Sequence, residues 1–372
     1  MNLNFAIKKM NNRFIEWFTC CMICLPFVLC FNRELFSIYN LFSSEIVLAY
    51  LVLIYVNCSA MRINDIFLIC FLFLICLGSV LFADSGYGSV ITILEPIILL
   101  LLIDNILLSE RQISLIKKIL AVALFSLMYK SFFYAEDWVY FQDNDINPNT
   151  IGMLSVLICM ICISCGTKKI YKIVLLLVTC IILINVRCRG ASVALLVFLL
   201  SSLFIKSIKK NIKFIIVVLT FAGILFPVIY YVLYLNNVNL NFMEKSLFTG
   251  REMIWGNAFN EMFANEVKLI LGLGSKANLW EGHNLNMHNN FLGVIVNYGI
   301  IGFVCVFYCL ATKIINMFTI GTKEQCKNYV IAIIMIYISG MFETTLLWTT
   351  MIVANMSGLI FGNNYRNQNC IK

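Results

Sequence analysis

The sequence predicts an all-α, polytopic membrane protein with about twelve transmembrane helices and one large external loop that carries an amphipathic helix. Three observations predict it. Hydrophobic residues make up 61% of the 372-residue chain and charged residues only 12%, whereas soluble domains hold about 45–50% apolar and about 25% charged residues. The apolar runs have the length that a hydrocarbon core of ~30 Å requires of a helix. In such a core the backbone must satisfy its own hydrogen bonds, which favours helices over open strands. Finally, hydrophobicity is interrupted at length in one place, residues 236–289, and both histidines of the chain, His283 and His288, fall there.

Taken in order, the apolar runs place spans at 14–31, 41–59, 66–83, 90–108, 113–133, 149–166, 171–186, 191–206, 212–235, 290–312, 327–342 and 346–361. The first follows Lys8, Lys9 and Arg13 and continues through Cys20, Cys21 and Cys24 without an Ala-x-Ala site, so it reads as a retained helix. Basic clusters at Arg62, Arg111 to Lys118, Lys168 to Lys172 and Lys206 to Lys213 separate successive pairs of spans. The last two spans are short and close together. No Pro/Gly/Ser-rich linker and no internal repeat divides the chain, which therefore reads as one integral membrane domain over 1–372, with external segments at 134–148 and 236–289.

Orientation follows from Lys and Arg in alternate loops. With the N terminus inside, nineteen of the 27 basic residues are cytoplasmic and eight, including Arg187, Arg189 and Arg251, are external. Both termini are then cytoplasmic and the long polar segment is external. The net charge of +8 is thus a topology signal with contacts to anionic membrane lipid, and no nucleic-acid partner is expected. The sixteen cysteines sit mostly within apolar spans, where Cys behaves as a small hydrophobe. None has zinc-ligand spacing.

Within 236–289, Thr249 followed by Glu252 is a capping-box pattern that starts a helix. Apolar residues recur at Ile254, Ala258 and Met262 and at Trp255, Phe259 and Phe263, a stripe for a membrane-surface helix. Leu271-Gly272-Leu273-Gly274 then breaks it.

His288 stands just before an apolar span that starts near Phe291. An imidazole at such a helix mouth is a usable general base; capping the helix with Asn289 is the alternative. Arg187 and Arg189 share a tight external turn, against the positive-inside bias. Their planar forks suit a phosphate of an anionic substrate, while snorkelling to lipid phosphates explains them equally well. Arg251, in the first turn of the surface helix, is a third external cation. Trp138, Tyr140, Phe141 and Asp143 to Asp145 mix rings with carboxylates and amides, a composition that serves sugar stacking or an interfacial aromatic belt.

The order Arg189-Gly190-Ala191, Gly250-Arg251 with Trp255, Leu271-Gly272-Leu273-Gly274, His288-Asn289 with Phe291-Leu292, and Tyr298-Gly299-Ile300-Ile301-Gly302 resembles the O-antigen ligase and polymerase superfamily, most of all its Wzy-type polymerases. Asn147-Pro148-Asn149 before a span is a further shared feature. The resemblance covers about residues 185–305. It implies a GT-C-like membrane glycosyltransferase in the bacterial inner membrane, acting at the periplasmic face without a cofactor or metal ion. Its substrate would be an undecaprenyl-diphosphate-linked oligosaccharide, and its partners a flippase and chain-length regulator proteins. By the same resemblance His288 activates the acceptor hydroxyl, while Arg189 and Arg251 hold the donor diphosphate, with Arg187 as an extra candidate. Trp138, Tyr140, Asp143 and Asn289 are candidates for glycan contacts. Cys188 stands where relatives often carry Ser.

The leading expectation is a polysaccharide polymerase of lipopolysaccharide or capsule biosynthesis, with a ligase to lipid A core as the nearest rival. A flippase of lipid-linked oligosaccharide is the rival of another class. Against it stand the absence of a visible repeat and the placement of Glu95, Asp104 and Glu343 near span ends.

Overall fold

The computed structural model describes residues 13–29, 33–57, 63–82, 88–136, 147–165, 168–238, 241–242, 245–246, 250–274, 287–343 and 349–364. The described chain is helical apart from one antiparallel two-residue pairing, β1 (Asn241–Phe242) with β2 (Lys245–Ser246), inside the long polar segment.

The first helices follow the predicted runs, except that a short helix outside those runs lies between the first two of them. They are α1 (Arg13–Leu29), the short α2 (Arg33–Leu41), α3 (Ser43–Asn57), α4 (Ile63–Phe82) and α5 (Gly88–Leu102), which tightens into a 3-10 turn at Ile103–Asn105. Next come α6 (Glu110–Glu136), α7 (Pro148–Ser164), α8 (Lys169–Val186), α9 (Arg189–Leu203) and α10 (Ile205–Leu235), the last interrupted by a non-helical Asn211. The polar segment supplies α11 (Arg251–Phe263) and α12 (Glu266–Leu271). After it, α13 (Asn290–Ile320) and α14 (Lys323–Ile333) are followed by a π turn at Ile334–Ile338, a 3-10 turn at Ser339–Met341, and α15 (Thr349–Asn364).

Four stretches are long and apolar enough to cross a membrane on their own: Glu110–Phe132, Lys169–Val186, Ile205–Leu235 and Asn290–Ile320. Shorter apolar helices, such as Pro148–Ser164, Arg189–Leu203 and Ile352–Gly362, pack among them. The protein is a helical membrane protein. The expected tally of about twelve crossings exceeds the four that meet length and composition among the described residues.

The apolar face of α11 does what its spacing predicts. Ile254, Trp255, Ala258 and Met262 are buried against Tyr230 of α10 and Leu292 and Val296 of α13, forming a satellite core. Phe263, expected in the same stripe, is instead 72% exposed, because it ends the helix beyond the reach of α10. The capping pattern is also shifted. Gly250, in the left-handed region at φ 89°, is the residue that caps α11, and its N–H donates to Glu252 Oε1 at 3.0 Å; Thr249 lies outside the described residues.

The two glycine-bearing motifs meet. Leu273 N–H donates to Val296 O at 2.6 Å, and α13 breaks beside it at Gly299, where φ is 65° and ψ −175°. A β-carbon there would overlap the Ile270 carbonyl. Only glycine both adopts this backbone and leaves that space. The break bends the helix that begins at the candidate site.

Toward the other end of α13, Lys313 Nζ donates to Asp104 Oδ1 at 2.6 Å and to Leu101 O. Both charged side chains are under 5% exposed. The charge pattern predicts Lys313 as a cytoplasmic loop residue; it lies within α13 because this pairing lets the helix continue past it.

Candidate active site

The residues of interest sit at helix mouths. Asn147 caps α7 by accepting from Asn149 N–H at 2.9 Å, with Pro148 in the first turn, where its missing N–H costs nothing. Asn289 caps α13, its Oδ1 accepting from Leu292 N–H at 2.8 Å while its Nδ2 donates to Met341 O at 3.1 Å. Asn290 Nδ2 donates to Ile336 O at 3.1 Å. Asn290 thus ties the start of α13 to the π turn, a helical irregularity that often marks functional sites, and Asn289 ties it to the 3-10 turn that follows. The turn delivers Phe342 and Glu343 to the mouth of α13. Asn289 is fully buried with both ends of its amide engaged, so it supports the site from behind and presents nothing to a sugar.

Glu343 is the hub. Its Oε2 lies 2.8 Å from His288 Nδ1. Its Oε1 accepts from Arg251 Nη2 at 2.7 Å and from Asn149 Nδ2 at 3.0 Å. Arg251 also donates through Nη1 to Phe342 O at 2.6 Å, so two of the five donors of its guanidinium are engaged. The side chains of Arg251, His288 and Glu343 are 18–23% exposed, buried enough to be fixed and open enough to be reached.

Burial alone would push the Glu343 carboxyl up, but the hydrogen bond from His288 and the Arg251 charge outweigh it and hold the group below its ordinary value. An ionised carboxylate only accepts. The proton of a neutral His288 ring therefore sits on Nδ1, and Nε2 keeps its lone pair. Among the described residues Nε2 has no hydrogen-bond partner.

Three features hold His288 in place. Its backbone is left-handed at φ 48°, a strained setting for a non-glycine residue. The residue before it, Met287, accepts from Trp255 Nε1 at 2.6 Å. Trp255 is fully buried, edge-on to Tyr230 and Phe226 with ring centres 5.0 and 5.9 Å away. One helix, α11, thus fixes both His288, through the Trp255 bond to Met287, and Glu343, through Arg251.

The turn Arg187-Cys188-Arg189 packs on the same cluster. Cys188, buried, directs its thiol at Asn149 O at 3.7 Å, and Gly190 lies against the Phe342 side chain. Arg187 is left-handed at φ 49° and exposed, whereas Arg189 is the first residue of α9 and half-buried. The structure thus gathers Arg189, Arg251, His288 and Asn289 at one mouth. Trp138, Tyr140 and Asp143, like His283, lie outside the described residues. Sequence reasoning missed Glu343 as a site residue and left Asn149 without a role. One signal was available: Glu343 is the single charged residue between Lys327 and Arg366. Among the described residues no group of three or more His, Cys, Asp or Glu side chains could hold a metal ion.

No curated protein and no solved structure matches the chain. A family model described as O-antigen ligase matches residues 172–307, from α8 to the middle of α13, a region that includes Arg187, Arg189, Arg251 and His288 but not Asn149 or Glu343. Over that stretch, which is less than half of the chain, the protein is similar to the O-antigen ligase family.

Proposed function

We propose that the protein is a polysaccharide polymerase of the inner membrane that transfers a growing glycan from undecaprenyl diphosphate to the non-reducing end of a lipid-linked repeat unit at the periplasmic face. The similarity of residues 172–307 to the O-antigen ligase family supports glycan transfer as the class of reaction. The observation that carries the residue assignment is the His288 Nδ1 to Glu343 contact at 2.8 Å.

In this reading Nε2 of His288 takes the proton of the acceptor hydroxyl as its oxygen attacks the anomeric carbon of the donor. The new glycosidic bond forms as the bond to the diphosphate breaks. The proton stays on His288, where the Glu343 carboxylate stabilises the imidazolium, and the lipid diphosphate departs with its negative charge. Arg251 and Arg189 meet that charge; fixed cations in a partly dehydrated site stabilise a leaving group without having to reorganise. Arg187, exposed beside them, would attract the donor.

Sidedness is supported by geometry as well as by charge counting. Asn149, Arg251 and His288 meet at Glu343, and Gly190 of the arginine turn lies against the neighbouring Phe342; the positive-inside pattern assigns all of these positions to the external side. The competing reading, transfer of finished glycan to lipid A core, is favoured by the description of the matching family. Purified protein supplied with two lipid-linked repeat units and no lipid A core separates the two. Elongation that His288→Ala abolishes supports the polymerase, while product that appears only when lipid A core is added selects the ligase. Normal glycan length in a His288→Ala strain with the protein inserted would overturn both.

A further inference from the structure

A cavity of 290 Å³ opens between α1 and the first turns of α6, walled by Glu16, Trp17, Arg111, Gln112, Leu115 and Lys118. It lies far from the chemistry. Ser131, later in α6, accepts from Asn185 just before the Arg187 turn at 3.0 Å, and at ~1.5 Å per residue Arg111 is about 30 Å farther along the helix.

The walls are held rigidly. Gln112 Oε1 accepts from Ser109 N–H at 2.8 Å, and its Nε2 donates to Glu16 O at 3.1 Å, which fastens α6 to α1. Among the described residues the side chains of Glu16, Arg111 and Lys118 have neither an ion pair nor a hydrogen bond, although all three line one space. Arg111, Leu115 and Lys118 recur at spacings of four and three, so they share a face of α6. Around the opening, Trp17 is 53% and Phe14 72% exposed, the aromatic dressing of a membrane–water boundary.

Two cations against one carboxylate call for an occupant with one negative charge and a group that donates to Glu16. We propose that this cavity binds the headgroup of a single hydroxyl-bearing phosphodiester lipid of the phosphatidylglycerol class. The phosphate lies between Arg111 and Lys118, whose forked and pointed donors suit its oxygens. The headgroup hydroxyl donates to Glu16, and the acyl chains run out over Phe14 and Phe18. Charge counting assigns this end to the cytoplasmic leaflet, where anionic lipid gathers.

The test uses full-length protein stripped of lipid in detergent and three probes: phosphatidylglycerol, phosphatidylcholine and inorganic phosphate. Readouts are lipid retained in native mass spectrometry and the thermal midpoint. Phosphatidylglycerol alone should bind and raise the midpoint. In Arg111→Gln/Lys118→Gln its binding should weaken roughly ten- to thirty-fold, at ~1 kcal/mol per basic residue near a lipid surface. The exposed single change Lys118→Gln, which threatens folding least, should weaken it several-fold. Arg111→Lys/Lys118→Arg should keep it, and Lys172→Gln should change nothing. Equal stabilisation by phosphatidylcholine would mean lipid wrapping without a site. Displacement of the lipid by inorganic phosphate at matched concentration would mean a free-anion site. Undiminished phosphatidylglycerol binding in the double variant, or either of these results, overturns the proposal. The cavity is remote from His288, so its failure would leave the reading of the catalytic end standing.

Discussion

Glu343→Gln is the substitution that probes the site most directly, because it keeps shape and removes only the second accepting oxygen. Three donors converge on two carboxylate oxygens: His288 Nδ1 at 2.8 Å on Oε2, and Arg251 Nη2 at 2.7 Å with Asn149 Nδ2 at 3.0 Å on Oε1. An amide offers one oxygen and an NH2. Turned one way, the NH2 faces the guanidinium and the Asn149 amide, and a charged hydrogen bond of about 1.5–3 kcal/mol is lost. Turned the other way, the oxygen stays with Arg251 and the NH2 faces Nδ1, which must then accept. That orientation costs less, and it moves the ring proton to Nε2, blocking the lone pair that the proposed mechanism uses. General-base catalysis contributes about 10²–10⁴-fold, so kcat for elongation should fall by that factor, about 2.7–5.5 kcal/mol in barrier. The KM for acceptor should stay near wild type, since no step places Glu343 on the substrate.

The assay is elongation of lipid-linked repeat units by protein reconstituted in liposomes, with Glu343→Asp as the variant that keeps an acid. A pH series of the thermal midpoint checks the electrostatics. The Glu343 carboxyl is held below its ordinary 4.5 in the folded protein, so its stabilisation is fully present above that value and is lost as pH falls through the lower folded value. The midpoint gap between wild type and Glu343→Gln should therefore be widest near neutral pH and close as pH falls through the lowered folded value. A Glu343→Gln variant that elongates within about threefold of wild type, with an unchanged pH–rate profile, would refute the tautomer argument and the assignment of Nε2 as base, because loss of a general base should cost at least about a hundredfold.

Three further outcomes follow from the fold. Gly299→Ala forces a β-carbon into the Ile270 carbonyl at a backbone φ of 65°; strain of about 1–3 kcal/mol for the backbone alone should lower the thermal midpoint and the yield of monodisperse protein. Asp104→Asn leaves Lys313 buried without its countercharge, a loss of about 3–5 kcal/mol, whereas Asp104→Leu with Lys313→Met should be close to neutral; thermal midpoints of the singles and the double test this. Trp255→Phe keeps the ring packing and deletes the bond to Met287 O. The orphaned carbonyl costs about 1–3 kcal/mol, and loosening of His288 should appear as a roughly tenfold lower kcat with acceptor KM unchanged.

Helix positions were legible because burial in lipid demands long apolar runs whatever the tertiary contacts. Where the structure departs from them, a distant partner is the cause. The tenth predicted span ends at 312 because Lys313 reads as an exit from the membrane. In the fold Asp104, 209 residues away, accepts that charge, and α13 runs on to Ile320. The eleventh span reads as uninterrupted helix over 327–342. Asn290 and Asn289 hold the carbonyls of Ile336 and Met341, and the backbone beyond Ile333 widens into the π turn.

The same physics divides the site into what a linear reading finds and what it misses. His288 and Arg251 stand out because each is a cation-capable group in a segment that the positive-inside pattern assigns to the external side, where such groups are expected to be scarce. Glu343 carries no such contrast, since the positive-inside pattern counts Lys and Arg and is silent about carboxylates. Its meaning lies in partners 55, 92 and 194 residues away, none of which predicts another along the chain. What remains visible is isolation: one charge in an apolar tract between Lys327 and Arg366. An isolated charge at a span end has two inexpensive fates, hydration or pairing. A position 19% exposed leaves little room for hydration, so an arginine and a histidine from elsewhere had to meet it. The pairing that makes the carboxylate tolerable in that place is also the one that fixes the proton on Nδ1.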